Sequence, residues 1–202
     1  MIIYLIRHGV TDWNDKLLFQ GHTDTELNKN GKRQAKYIAL ELKNLKFDII
    51  FSSDLKRAYK TAEIIKKITK YQGEIIQTDK LRERNYGSFE GKSYELLRHN
   101  KKDFDGEKDN QFFKRINNFF DFVVKKYKGK NIVVVTHGGV VRQIISRILN
   151  LKDYKRIRIL NASISEVYYD EKHDKFFLLR LNSMAHLPKK ERIKIHQNVI
   201  GV

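Results

Sequence analysis

The sequence contains no cysteine and no long apolar run. Without cysteine the chain has no disulfide framework, no thiolate nucleophile and no cysteine zinc site, so its chemistry falls to histidine, carboxylates, hydroxyls or bound ions. No apolar run approaches the roughly 20 residues that cross a bilayer. The amino terminus begins as a strand with a charged end rather than as a signal peptide. These absences predict a cytoplasmic protein with no membrane partner.

The basic residues are not concentrated in any one part of the chain. Lys and Arg number 41 against 24 Asp and Glu, which gives a formal net charge of +17. Such a surplus favours nucleic-acid binding where it is concentrated, but here it is spread through nearly every segment, without a zinc motif or a helix-turn-helix. We therefore expect no specific nucleic-acid partner and a modest attraction of small anionic substrates.

Spacing suited to a metal ion is also lacking. His22, His99, His173, His186 and His196 show no paired spacing with another histidine or with carboxylates that would form a ligand set. The sequence predicts that these five histidines are structural or exposed. It also predicts that the protein needs no metal and no cofactor.

Strand-like and helix-like segments alternate along the chain. Apolar runs predict strands, and apolar residues three and four apart predict helices. The expected strands cover residues 2–6, 48–52, 74–77 and 132–136, with a hairpin at 163–169 and 175–181, and the expected helices cover 30–45, 54–69 with Asp54 as its cap, 112–124 and 140–149. This order predicts a three-layer α/β/α fold whose mostly parallel sheet has an antiparallel edge strand or hairpin.

Charged and polar side chains follow the expected parallel strands. They are Arg7 and His8 after the first strand, Arg57 one turn into the helix after the second, Glu83 after the third and His137 after the fourth. Open α/β folds build their sites at the carboxyl edge of the sheet. Two arginines, two histidines and a glutamate there suit phosphoryl transfer, which needs cations, a nucleophile and an acid for the leaving oxygen.

Five short motifs that span most of the chain carry a family resemblance. They are Arg7-His8-Gly9-x-Thr11-x-x-Asn14; Gln20-Gly21; Ser52-Ser53-x-x-x-Arg57-x-x-x-Thr61-Ala62; Leu81-Arg82-Glu83 with Gly87, Glu90 and Gly91; and Thr136-His137-Gly138-Gly139. Over residues 2–187 this set resembles the histidine phosphatase superfamily, also called the phosphoglycerate mutase-like family. The resemblance implies a phosphoglycerate mutase-like fold.

The resemblance also implies a role for each matching residue. His8 would attack phosphorus through a ring nitrogen to give a phosphohistidine, while a backbone acceptor on the other nitrogen holds the tautomer. Glu83 would protonate the leaving oxygen and later accept a proton from water. The phosphate pocket would comprise Arg7, Arg57, His137, the Asn14 amide and the Gly138 N–H, with substrate contacts near Gln20 and Gly21.

Each of these residues, taken singly, also suits a structural role. His8 and His137 could satisfy backbone carbonyls, and Glu83 could form a surface ion pair with a flanking arginine. Gly138 and Gly139 could be a turn before the next helix. The joint occurrence of all of them favours the catalytic interpretation.

Hydrolase and mutase share the same first step and differ in what receives the phosphoryl group. Residues 88–111 are short and lack the paired-arginine insertion of cofactor-dependent mutases, and they resemble the small phosphatase branch that includes α-ribazole phosphatases. We expect a metal-independent phosphomonoesterase acting on a small phosphorylated metabolite. A cofactor-dependent phosphoglycerate mutase is the alternative, and a catalytically silent phosphate-binding protein is the third possibility.

The resemblance implies one catalytic domain at 1–187, with a cap-like insertion at 81–111 and a basic tail at 188–202. The small phosphatase branch commonly has serine where this chain has Lys108, so we expect Asp109 to cap the helix that follows. The tail is open between a surface helix, an oligomer contact and disorder. A monomer and a homodimer are both compatible with the sequence.

Overall fold

The computed structural model describes residues 1–95, 104–151 and 157–200, and only the backbone of residues 194 and 196–200. Its centre is a sheet of six strands in the order β3-β2-β4-β1-β5-β6. The strands are β1 (Ile2–Arg7), β2 (Ile49–Ser53), β3 (Ile75–Thr78), β4 (Ile132–Thr136), β5 (Ile164–Asp170) and β6 (Lys175–Ser183). The first four are parallel, and β5 and β6 form the antiparallel end. The predicted sheet is confirmed.

Helices cover both faces of the sheet. They are α1 (Asp12–Asp15), α2 (Lys29–Leu42), α3 (Lys56–Thr69), α4 (Asp109–Lys126), α5 (Gly138–Ile148) and α6 (Lys189–Ile200). Leu5 and Val134 pack with the apolar stripe of α4 and with α5, whereas Ile6 and Val135 pack with α2 and α3. Successive residues of β1 and β4 thus point into two different cores, which explains why these strands are continuously apolar. The three-layer fold is confirmed.

The strand order brings residues distant in sequence to one edge. Arg7 lies beside Thr136 in the β1–β4 register, and the His8 N–H donates to the Thr136 carbonyl over 2.9 Å. The residues directly after β1 and β4 are therefore neighbours. β2 flanks β4 on its other side, so the segment after β2 ends at the same edge.

Two predicted helix caps are wrong. Leu55 is the residue that precedes α3, and no side chain caps this helix; the Asp54 carboxylate instead binds the Arg82 guanidinium. Lys108 precedes α4, with its backbone N–H donating to the Gln111 side chain over 3.0 Å, and Asp109 pairs with Arg84. In both cases the carboxylate binds an arginine guanidinium, a charged donor that is a stronger partner for it than a neutral backbone N–H.

Some predicted boundaries also differ. Helix α2 ends at Leu42 instead of at residue 45. Helix α5 begins at Gly138 instead of at residue 140, so the two glycines form its first turn and are not a separate turn. Between Leu81 and α4 the described residues include the short 3₁₀ turn Gly87–Phe89. Residues 96–103 of the expected cap-like insertion lie outside the described residues.

The basic tail forms α6 and packs on the domain. Ile195 is 6% exposed and joins the core that contains Ile38 of α2, and Glu191 pairs with Arg33. Of the three possibilities that the sequence left open, the described part of the tail is a helix. No helix in the described ranges has the length and apolarity needed to cross a membrane.

Candidate active site

His8 directly follows β1, and its side chain is 2% exposed. Its Nδ1 lies 2.7 Å from the Gly9 carbonyl oxygen. Because a carbonyl only accepts, Nδ1 carries the proton and Nε2 keeps its lone pair. Burial, together with the positive charges of Arg57 and Arg7, lowers the pKa of His8 well below 6.5. His8 is therefore neutral at pH 7, with the tautomer expected from the sequence.

The backbone around His8 is held from several sides. The His8 carbonyl accepts from the Asn161 amide over 3.2 Å and from the Ala162 N–H over 3.1 Å. A Cβ on Gly9 would lie 2.4 Å from the Gly31 carbonyl oxygen, so only glycine allows this close approach of β1 to α2. The carbonyl that sets the tautomer is thus fixed in place.

His137 precedes α5 and is fully buried beside His8. The two ring centroids are 5.1 Å apart, and the rings meet edge to face at 64°. Its Nε2 lies 2.9 Å from the Ser53 hydroxyl, while its buried Nδ1 has no partner among the described residues. Burial, the Arg57 charge and His8 lower the pKa of His137 well below 6.5. The site therefore contains two neutral imidazoles.

Two desolvated guanidinium groups flank the imidazoles. Arg57 is completely buried and donates to the Thr23 carbonyl over 2.9 Å and to the Gly21 carbonyl over 2.7 Å. Arg7 donates to the Ile159 carbonyl over 2.6 Å. Burial lowers the pKa of both, that of Arg57 to about 10.

No carboxylate of the described residues is in direct contact with either guanidinium, although the Glu83 charge acts on both. Within the described residues, neither Arg7 nor Arg57 forms an ion pair, and the buried Nε of each has no hydrogen-bond partner. A buried cation without a counter-charge is unfavourable. An anion between these two groups would supply both the charge and the missing hydrogen bonds.

The Glu83 carboxylate lies at the start of α5. It accepts from the Gly139 N–H and from the Arg84 N–H, each over 2.9 Å. Arg82 pairs with Asp54, and Arg84 pairs with Asp109. The interpretation of Glu83 as one half of a surface ion pair is therefore wrong, because both flanking arginines bind other carboxylates.

Asn14 and Gln20 are buried close to this site. Asn14 Oδ1 accepts from the Thr11 N–H and from the Asn161 amide, each over 3.1 Å, which leaves its NH₂ group as the end able to donate to an anion. Gln20 Oε1 accepts from the hydroxyls of Thr11 and Thr25. The amide oxygens of Asn14 and Gln20 therefore both stabilise the loop that follows β1.

The two predicted glycines lie against the arginines. Gly21 has φ of +50° and offers its carbonyl to Arg57. A Cβ on Gly138 would be 3.3 Å from Arg7 Nε, so the amino end of α5 lies directly beside this guanidinium. The structure thus brings together all the residues that the sequence selected.

Three neighbours of the site form contacts that no motif predicts. Asn161 joins His8 to Asn14 but belongs to no motif, and Ser53 was recognised only as part of a motif, without its contact to His137. His22, expected to be structural or exposed, is half-buried, with Nε2 2.9 Å from the Glu83 carbonyl. Apart from the Ser-Ser motif, no local pattern marks these contacts. In the described part of the chain no group of three or more His, Asp or Glu side chains could hold a metal ion.

Comparison with known families decides the identity. The family model of the Histidine phosphatase superfamily (branch 1) matches residues 3–183. This chain belongs to the histidine phosphatase superfamily. The match covers the strands and all the motifs named above, and the histidine phosphatases are phosphoric monoester hydrolases, which agrees with the enzyme class expected from the sequence.

Individual histidine phosphatases resemble this one along most of its length. Phosphoglycerate mutase-like protein 4 of Arabidopsis thaliana is 37% identical over 180 residues, which are 81% of this chain and 77% of the relative. The α-ribazole phosphatase of Shigella flexneri superposes with a TM-score of 0.81 at 26% identity, covering 91% and 96% of the two chains. A phosphoserine phosphatase mutant of Entamoeba histolytica, in complex with phosphoserine, gives 0.82 at 30% identity, covering 93% and 99%.

Proposed function

We propose that this histidine phosphatase hydrolyses a small phosphorylated metabolite through a phosphohistidine on Nε2 of His8, without a metal ion. The observation that carries the proposal is the pair of desolvated, unneutralised guanidiniums of Arg7 and Arg57 beside two neutral imidazoles. Such a pocket is complementary to a phosphate dianion. The similarity to a phosphoserine phosphatase and to an α-ribazole phosphatase supports a small phosphomonoester as the substrate class.

In the first step, the Nε2 lone pair of His8 attacks phosphorus, and the bond between phosphorus and the ester oxygen breaks. Glu83 gives its proton to the departing oxygen, which leaves as an alcohol. The imidazole becomes positively charged as the N–P bond forms. The Gly9 carbonyl, which accepts from Nδ1–H over 2.7 Å, stabilises that charge.

In the second step, water attacks the phosphorus of the phosphohistidine. The Glu83 carboxylate takes a proton from the water, the N–P bond breaks, and inorganic phosphate leaves neutral His8 behind. The same carboxylate therefore acts as acid and then as base. Its two backbone donors, Gly139 and Arg84, hold it in one position for both steps.

The remaining groups bind the transferring phosphoryl oxygens. The unpartnered Nε atoms of Arg7 and Arg57, the Asn14 NH₂ group, His137 and the Gly138 N–H are the donors available at the site. They neutralise the charge that shifts between oxygens as bonds form and break.

A mutase reaction is the second candidate, favoured by the name of the Arabidopsis relative. It would share the phosphohistidine and differ in passing the phosphoryl group to a second substrate hydroxyl. The short 88–111 segment, without a paired-arginine insertion, supports water as the acceptor. A silent binding protein is disfavoured because His8 and Glu83 are both present and are both held by hydrogen bonds.

The test is phosphate release from a panel of phosphomonoesters in EDTA, combined with rapid-quench trapping of an acid-labile, base-stable phosphoenzyme. We expect turnover, a trapped label, and loss of both in His8→Ala. His173→Ala, at the exposed β5–β6 turn, is the matched control and keeps both. Absence of turnover on the whole panel, or a label that survives in His8→Ala, would overturn the proposal. Transfer to added 2- or 3-phosphoglycerate in preference to water would favour the mutase.

A further inference from the structure

Arg142 lies on α5 one turn beyond the two glycines that contact the site. Residues three and four apart share one face of a helix, and Arg142 is four residues after Gly138 and three after Gly139. A Cβ on Gly138 would lie 3.3 Å from Arg7 Nε, and one on Gly139 would lie 2.2 Å from Glu83 Oε1. Arg142 therefore shares the helix face that borders the phosphate pocket and the acid.

The guanidinium of Arg142 has no partner in the described part of the chain. Its Nε is buried without a hydrogen bond, and no described residue forms an ion pair with it. By contrast, Arg82, Arg84 and Arg115, which also lie near Glu83, all bind carboxylates. Among the described residues, Arg142 is thus a cation without a counter-charge on the helix face that borders Glu83.

Two phenol rings lie within the electrostatic range of Arg142. Burial raises the pKa of Tyr86 and of Tyr94, and the Arg142 charge opposes part of each rise, as does that of Arg7 for Tyr94. Both rings also contact Phe19, at centroid distances of 4.4 and 4.6 Å. The two phenol rings and Arg142 therefore lie near one another, and the Glu83 charge also acts on both phenols.

We propose that Arg142 binds a carboxylate on the leaving group, so that the substrates are short phosphorylated carboxylic acids. The inference rests on the proposed function and names its substrate class. Arg7 and Arg57 already match the two charges of the phosphoryl group, so Arg142 is left for a further anion. A guanidinium is planar and carries a single positive charge, and it can donate two parallel hydrogen bonds. A carboxylate is planar, carries a single negative charge and can accept both of these bonds.

The position of Arg142 also limits the length of the substrate. Three to four residues of helix span about 4.5–6 Å, so Arg142 lies roughly that far along α5 from the groups that touch Glu83 and Arg7. A carboxylate two or three carbons from the ester oxygen reaches across this distance. A longer chain, or a bulky leaving group without a carboxylate, makes no use of the contact.

The experiment compares 3-phosphoglycerate with glycerol 3-phosphate, which has the same carbon chain and an uncharged hydroxymethyl group in place of the carboxylate. The measured quantity is the ratio of kcat/KM for the two esters. We expect the wild-type ratio to favour 3-phosphoglycerate and to fall about 10- to 100-fold in Arg142→Gln, the loss typical of a charge-assisted hydrogen bond. Arg142→Lys restores part of the ratio. Arg147→Gln is the control: Arg147 lies on α5 like Arg142 but pairs with Asp121 of α4, so this variant leaves the ratio unchanged.

Two measurements separate this inference from the proposed function. Turnover of p-nitrophenyl phosphate by the wild type tests the phosphatase reaction without any carboxylate. Calorimetric binding of the two esters to His8→Ala tests the carboxylate contact without turnover. We expect His8→Ala to bind 3-phosphoglycerate more tightly than glycerol 3-phosphate. The double variant that carries both His8→Ala and Arg142→Gln should lose this preference. A wild type that does not prefer the carboxylated ester, or an Arg142→Gln variant with an unchanged ratio, overturns the role of Arg142 and leaves the phosphatase reaction standing.

Discussion

The Glu83 carboxylate accepts a 2.9 Å hydrogen bond from the Gly139 N–H, two residues after His137. The proposed acid and the second imidazole are thus attached to the same turn of α5. The distance between the Glu83 carboxylate and the His137 ring is therefore set by the amino end of α5.

The proposed role of Glu83 as the acid predicts a loss of activity in Glu83→Gln. The amide keeps the shape but cannot donate an acidic proton, so we expect kcat for alkyl phosphates to fall about 10²- to 10⁴-fold. The loss for p-nitrophenyl phosphate should be much smaller, because its leaving group needs no proton. Steady-state kinetics on both ester types measure the difference, with Glu63→Gln on the exposed side of α3 as the control. Equal losses for both esters would contradict the assignment of Glu83 as the acid.

The neutral histidines predict a pH-dependent stability. Burial lowers the pKa of His8 and His137 in the folded state, while in the unfolded chain both titrate near 6.5. Below that pH the unfolded state binds more protons than the folded state, so the free energy of unfolding falls as pH falls. Calorimetric Tm values in phosphate-free buffers between pH 8 and 5 should decrease below about pH 6.5. His8→Asn should show a shallower decrease, and an identical slope in both proteins speaks against the neutral state.

The unneutralised arginines predict stabilisation by a simple anion. Inorganic phosphate or orthovanadate should raise the Tm, with a stabilisation of about 2.7 kcal/mol at a concentration 100 times its Kd. Arg57→Met should abolish the rise, because the buried cation is removed. Sodium chloride at equal ionic strength controls for general screening of the +17 chain, and Arg147→Met is the matched variant. A rise in Arg57→Met as large as in the wild type would show that phosphate binds elsewhere.

The contact between β1 and α2 predicts the effect of Gly9→Ala. The new Cβ would meet the Gly31 carbonyl oxygen at 2.4 Å, and backbone cannot move aside as a side chain can. We expect a loss of about 3 kcal/mol in the free energy of unfolding, at the upper end of overpacking costs. Gly129→Ala is the control: its φ is +72° and no atom lies within 4 Å of the new Cβ, so backbone strain alone costs roughly 1 kcal/mol. Urea unfolding of both variants checks the order, which is reversed if the steric argument is mistaken.

The positions of Arg7, His8 and His137 in the candidate site were predictable because they depend on where buried parallel strands end. The apolar runs of β1 and β4 stop at Arg7 and at Thr136, and the following histidines meet because the two strands are paired in register. The hydrophobic period fixes such an end within a residue or two. Arg57 and Glu83 lie four and five residues beyond the ends of β2 and β3, so their positions depend also on the turns that follow these strands.

The supporting contacts could not be predicted, because they join residues far apart in the chain. Asn161 reaches the His8 carbonyl across 153 positions, and nothing near Asn161 in the sequence marks it. The Asp54 cap failed for a related reason. A local pattern favoured the cap, whereas Arg82, 28 residues later, took the carboxylate.

One carboxylate connects the two loops of the site. Glu90 accepts from the backbone N–H groups of His22, Thr23 and Tyr86 and from the Thr23 hydroxyl. The segment that contains Tyr86 and Glu90 is therefore tied by hydrogen bonds to the loop that offers the Gly21 and Thr23 carbonyls to Arg57. Chimaeras that exchange this segment between relatives must carry Glu90 along with it, or the graft will loosen the anion pocket it was meant to leave untouched.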